Sequence, residues 1–226
     1  MQFILSNGWE AGIADLTERL IKELSTNQPV LWLVSGGSNI GAAVTVMDSI
    51  SEELSANLSV MLADERYGPV GHADSNWAQL LAAGFDGKQA TLSPVLRDGD
   101  DLSQAAAYFA ELVADNFSRH QVIIAQLGIG PDGHVSGILP NSPAAADTQE
   151  LVVAYQGGDY QRLTTTFEAL KHITIDYSFA YGEGKRAALT SLLNQDLPLA
   201  IQPSQILKQL PEAYVYNDQI GDTIEP

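Results

Sequence analysis

Three short apolar runs, Val30–Val34, Leu58–Ala63 and Val122–Leu127, stop abruptly at glycine or polar residues, and amphipathic segments separate them. Runs of this length read as buried strands. Between them, Ala11–Leu24 carries Ile13, Leu16, Leu20, Ile21 and Leu24 at helical spacing and ends at Asn27-Gln28-Pro29. Ile40–Leu54, Asn76–Ala83, Leu102–Phe117 and Lys185–Leu193 are expected to be further helices. Gln2–Leu5 reads as a strand or an extended arm, and Ala213–Tyr216 as a late strand. Leu151–Ala154, Arg162–Thr166 and His172–Ile175 read as strands or strand fragments. Strands that alternate with helices predict an α/β, doubly wound, mostly parallel sheet with helices on both faces. No repeat, low-complexity stretch or linker divides residues 1–226, so a single domain is expected.

In such sheets ligands bind beyond the carboxyl ends of the strands. The stretch after the third run is Gly128-Ile129-Gly130-Pro131-Asp132-Gly133-His134-Val135-Ser136-Gly137-Ile138-Leu139-Pro140. Its glycines let the chain turn sharply. They present a histidine, the side chain best suited to moving protons near neutral pH, beside Asp132. The first run ends in Ser35-Gly36-Gly37-Ser38, where successive amides at a helix start would receive an anion. Without a ligand the same residues make a tight turn with Ser38 as a helix cap. Neither a phosphate-binding loop with Gly-Lys-Ser/Thr nor a full dinucleotide fingerprint is present. The second run ends in Asp64-Glu65-Arg66, with His72-Ala73-Asp74-Ser75-Asn76 beyond it. Arg66 suits a phosphate or a developing oxyanion, and Asp64 suits a sugar hydroxyl or a water. Arg162 and Lys185, the latter after Gly182-Glu183-Gly184, are the remaining candidates for an anion site.

Charge sharpens this. The chain has 28 acidic and 11 basic residues, a formal net charge of −17. An acidic surface excludes nucleic acid as an expected partner, and an anionic small molecule needs a local cationic pocket. With no cysteine, thiolate metal sites are ruled out, and the four histidines lack metal-ligand spacing. No metal or cofactor is expected, and His120 and His172 are read as structural. No apolar run approaches the roughly 18 residues of a membrane span, and Met1–Leu5 lacks the features of a signal peptide. A cytoplasmic protein is therefore expected, of undetermined oligomeric state.

Taken in order, Ser35–Ser38, Asp64–Arg66, Asp74–Asn76, Gly128–His134, Arg162-Leu163-Thr164 and Gly184-Lys185 resemble the 6-phosphogluconolactonase family. That family is grouped with glucosamine-6-phosphate deaminases and ribose-5-phosphate isomerases. Ser136–Pro140 looks like the lactonase Ser-Leu-Phe-Pro ending, where deaminases run on toward Phe-Asn-Glu-Pro. Arg66 likewise stands where deaminases tend to have tyrosine. The chain departs from the family pattern at Asn39, usually Thr, at Val135 and Gly137, and at Tyr67-Gly68-Pro69. It also has Gly157-Gly158-Asp159-Tyr160 where Lys-Pro-Pro often precedes the arginine.

The resemblance implies hydrolysis of 6-phospho-D-glucono-1,5-lactone without a cofactor. His134 would be general base and then general acid, with Asp132 orienting it. Arg66 would stabilise the oxyanion or hold the phosphate. Ser35, Gly36, Gly37, Ser38, Asp64, Arg162 and Lys185 would bind the sugar phosphate. A deaminase of amino-sugar phosphates and a sugar-phosphate-binding regulator are the alternatives.

Overall fold

The computed structural model describes residues 1–146 and 148–223. Its strands are β1 (Gln2–Leu5), β2 (Val30–Val34), β3 (Leu58–Leu62), β4 (Asp64–Arg66), β5 (Thr91–Ser93), β6 (Val122–Gly128), β7 (Val152–Gly157), β8 (Tyr160–Thr165), β9 (Ile175–Ala180), β10 (Glu212–Asn217) and β11 (Asp222–Thr223). Its helices are α1 (Glu10–Leu24), α2 (Ile40–Ser49), α3 (Glu52–Ser55), α4 (Asn76–Ala82), α5 (Leu102–Arg119), α6 (Phe167–Leu170) and α7 (Arg186–Asn194). Eight strands form one sheet in the order β11-β1-β10-β9-β6-β2-β3-β5, and each pairing in it is parallel.

Alternation along the strands explains why helices cover both faces. Leu31 and Leu33 of β2 join Phe109 and Val113 of α5 and Leu189 and Leu192 of α7. Val30, Trp32 and Val34 point the other way, to Leu16, Leu20 and Leu24 of α1 and Val46 and Met47 of α2. Those three leucines of α1 are fully buried, and burial of a leucine side chain contributes roughly 1.5–3 kcal/mol. The chain runs outward from β2 through β3 to β5, then returns to β6 on the other flank of β2. The strand order therefore reverses between β2 and β6, and the crevice beyond their carboxyl ends is the place for a ligand.

Several boundaries differ from the sequence reading. The helix expected over 40–54 is two helices, broken at Ile50, whose backbone is extended. Ser51 restarts the second by accepting the amide of Leu54 at 3.3 Å. The Lys88 ammonium closes the first, donating to the carbonyls of Met47, Asp48 and Ile50. The fragments expected at 151–154 and 162–166 are β7 and β8, an antiparallel hairpin outside the main sheet. Asp64–Arg66, read as a strand end and loop, is β4 and pairs antiparallel with β8. These three make a second, smaller sheet. The strand expected at 172–175 begins only at Ile175 and continues to Ala180, because Asp176 and Ser178 hide its apolar pattern while being fully buried themselves.

Asp176 carries its own prediction. One carboxyl oxygen accepts from the Ser178 hydroxyl at 2.7 Å, and the other has no partner among the described residues. Burial pushes its pKa up to about 8, against the pull of that hydroxyl. The unfolded chain sheds this proton near the ordinary value of 3.8. Between those values the folded state binds the extra proton, so stability falls as pH rises, by up to about 1.4 kcal/mol per pH unit. The fall is complete above about pH 8. Asp176→Asn removes this slope; urea midpoints of both proteins at pH 5 and pH 7.5 test it, and parallel slopes would refute it.

Candidate active site

The crevice between β2 and β6 holds a cleft of about 230 Å³. Ser35, Gly36, Gly37, Ser38, Asp64, Arg66, His134, Arg162 and Lys185 all line it. The sequence reading thus named one surface, although these residues span 150 positions from Ser35 to Lys185. Asp132 lies just behind His134.

The loop after β6 is built to hold the imidazole. Gly130 N donates to the His134 carbonyl at 2.9 Å, and Ile129 and Val135 form a bridge. A side chain at Gly130 would meet the imidazole, since its Cβ would stand 2.1 Å from Nδ1. His134 Nδ1 donates to Asp132 Oδ1 at 2.6 Å. That bond holds the Asp132 carboxyl down at about pKa 2 and leaves His134 Nε2 as the acceptor nitrogen. The imidazole is 33% exposed. Lys185, at the start of α7, donates to the Ile129 carbonyl at 2.5 Å. Burial lowers its pKa, and the nearby Asp132 charge acts against this.

After β2 the chain enters a 3₁₀ turn, Gly37–Asn39, and then α2. Ser38 does not cap this helix; the capping position is Asn39, and no side chain caps either element. The first amide of α2, Ile40 N, donates to the Gly37 carbonyl, so it is the amides opening the 3₁₀ turn that suit a ligand.

Arg66 and Arg162 come from the small sheet, where the register sets them directly opposite each other. Asp64, buried at the base of the same wall, has its carboxyl pushed up by burial, against Arg162, Arg66, His134 and Asn76. The wall is stitched to the main sheet at the Ala63 carbonyl, which accepts from Thr165 N at 3.1 Å and from the hydroxyls of Thr165 and Ser136 at 2.9 Å each.

Glu65 is the residue the sequence reading passed over. It is fully buried. Its carboxylate accepts from the amides of Arg66 and Asn76 at 2.7 Å each, from Trp77 N at 3.1 Å and from Ser75 Oγ at 2.9 Å. Burial pushes its pKa up while these four donors favour the charge. It ties the end of β4 to the start of α4. Asn76, also missed as a site residue, lines the cleft and donates to the Asp64 carbonyl at 3.0 Å. Asn39, Gly128, Ile129, Gly130, Pro131 and Ser136 complete the lining. The remaining histidines are structural: His120 bonds Asn116 O and Ser59 Oγ, and His172 stacks on Phe117. His72 Nε2 donates to the Arg66 carbonyl at 2.9 Å and braces that loop. No helix among the described residues is long and apolar enough to cross a membrane.

This cleft can bring a base and three cations to one small anionic molecule. Known proteins share its framework. A 6-phosphogluconolactonase of Pseudomonas aeruginosa is 30% identical over 194 residues, covering 80% of this chain and 78% of its own. The crystal structure of a 6-phosphogluconolactonase from Shewanella baltica superposes with a TM-score of 0.78 at 20% identity, covering 96% of this chain and 97% of that one. A monomeric glucosamine-6-phosphate deaminase superposes as well, with a TM-score of 0.79 at 18% identity, covering 96% of this chain and 97% of that one. The family model for glucosamine-6-phosphate isomerases and 6-phosphogluconolactonases matches residues 9–216, and the chain belongs to that family.

Proposed function

We propose that this chain, as one domain over residues 1–226, hydrolyses 6-phospho-D-glucono-1,5-lactone to 6-phosphogluconate. The observation that carries the proposal is one cleft lined by His134, which Asp132 holds, together with Arg66, Arg162 and Lys185. Relatives named 6-phosphogluconolactonase support it at 30% identity in Pseudomonas aeruginosa and 29% in Bos taurus. The fold does not choose between lactonase and deaminase, since both superpose equally well. The residues after His134, and Arg66 in place of tyrosine, favour the lactonase.

In this reading His134 Nε2 takes a proton from a water as the water oxygen attacks the lactone carbonyl. The positive field of the cleft's cations, which themselves hold the phosphate, favours the oxyanion that develops. The intermediate collapses as the bond from carbonyl carbon to ring oxygen breaks, and the imidazolium returns its proton to that oxygen. Water is thereby added across the ester, and the new carboxylic acid ionises to solvent. Asp132 holds the imidazole in the tautomer the first step requires. Arg66, Arg162, Lys185 and the amides of the Ser35–Ser38 turn hold the phosphate, and Asp64 receives a sugar hydroxyl. No step needs a metal or cofactor. The metabolic role points to the cytoplasm.

The test is the rate of lactone loss above the spontaneous background. Arg162→Ala and Lys185→Ala are each expected to raise KM roughly tenfold or more, the loss of one charge-assisted contact. Ammonia release from glucosamine 6-phosphate in place of lactone hydrolysis would establish the deaminase. Tight sugar-phosphate binding with neither turnover would establish a regulator.

A further inference from the structure

Two arginines set opposite each other on antiparallel strands repel, and like charges at that position destabilise a sheet. Arg66 and Arg162 occupy such a pair and still face the same cleft. A single ring lies against both. The Arg66 guanidinium carbon stands 4.7 Å from the centroid of Tyr160, and that of Arg162 stands 5.6 Å from it. The negative face of an aromatic ring attracts cations at these distances. Tyr160 opens β8, just after the turn at Gly158 and Asp159.

The rest of the hairpin tip serves the same end. Arg162 Nε donates to the Gly157 carbonyl at 3.0 Å, so its shaft lies across residue 157. A Cβ at Gly157 would stand 2.8 Å from both Arg162 Cδ and Tyr155 Cε2, and of the two the buried Tyr155 ring has less room to give. Arg66 reaches the Asp74 carbonyl at 3.2 Å with one amino group, while its Nε is buried without a partner. Among the described residues neither guanidinium is paired with a carboxylate. Asp64, buried at the base of the wall, acts on both charges through space, and both guanidinium groups still line the cleft.

We infer that Tyr160 is a positioning residue whose ring holds Arg66 and Arg162 side by side as a seat for a phosphate dianion. The inference rests on the reading of the cleft as a sugar-phosphate site and adds a determinant of its selectivity. Glycine at 157 lets Arg162 lie close, and the aromatic face fixes where both charges point.

The experiment measures inorganic phosphate binding by calorimetry, and KM and kcat for the lactone, in the native protein and in Tyr160→Phe, Tyr160→Leu and Gly157→Ala. Tyr160 lies outside both apolar clusters, so the fold does not depend on it. Tyr160→Leu is expected to weaken phosphate binding and raise KM by roughly tenfold, with kcat moved much less, as for loss of about 1.4 kcal/mol of cation–ring attraction. Tyr160→Phe keeps the ring and is expected to match the native protein. Gly157→Ala displaces Arg162 and is expected to lose phosphate affinity with the ring intact. Native affinity in Tyr160→Leu would overturn the inference, and so would equal losses in Tyr160→Leu and Tyr160→Phe. Ring-dependent phosphate binding without lactone turnover would sink the proposed reaction and leave the seat standing.

Discussion

His134→Ala is expected to lower kcat for lactone hydrolysis by about 10²–10⁴-fold, the usual contribution of a positioned proton-transfer group. The imidazole is the group in the cleft with an acceptor nitrogen free of its own partner, because Nδ1 is committed to Asp132. It is partly exposed and belongs to neither apolar cluster. Its loss therefore leaves the unfolding midpoint close to native. KM is expected to change little, since the cations that hold the substrate come from other segments. Asp132→Asn keeps the loop but replaces the acceptor of the Nδ1 proton, and a smaller fall in kcat is expected there. Stopped-flow measurement of lactone loss against the spontaneous rate decides this. Near-native turnover in His134→Ala would remove the histidine from the mechanism.

The second large effect is on the fold. Glu65→Ala is expected to destabilise the protein by about 3–5 kcal/mol, because buried donors lose their shared acceptor. Three are backbone amides, of Arg66, Asn76 and Trp77, and the fourth is the Ser75 hydroxyl. None can turn to solvent without opening the junction of β4 and α4. Glu65→Gln keeps the shape but sets an amide NH₂ against donors, so a loss of intermediate size is expected. Urea unfolding gives the order native, Gln, Ala; equal midpoints would show that the carboxylate is dispensable. Arg66 and Asn76 flank this anchor, so activity is expected to fall in the alanine variant even where it remains folded.

The middle of the main sheet was legible because β2 is an uninterrupted apolar run and β3 and β6 are broken only by Ser59 and Gln126, and a run buried on both faces needs no alternation to be recognised. Much of the cleft was legible for a related reason: Ser35–Ser38, Asp64, Arg66 and His134 follow those strands within a few positions. What escaped were groups whose meaning depends on partners far along the chain. Nothing local in Asp64-Glu65-Arg66 announces a strand, because its pairing partner is β8, about a hundred residues later. Glu65 drew no reading of its own, because its donors from Ser75, Asn76 and Trp77 meet it only once the start of α4 is folded against β4. β9 was misplaced because burial of Asp176 and Ser178 breaks the expectation that polar residues face water. The break at Ile50 was hidden because the cation that closes α2, Lys88, comes from another segment.

The cleft is a seam between two separately built sheets. His134, Lys185 and the Ser35–Ser38 turn stand at the ends of parallel strands whose register is locked by the core on both faces. Arg66 and Arg162 ride on the three-stranded sheet, whose hairpin tip is exposed at Gly158 and Asp159. Under the proposed roles the proton-transfer group and the two arginines therefore stand on different sheets, and changes in the hairpin tip are expected to alter how an anionic head is held while His134 keeps its place.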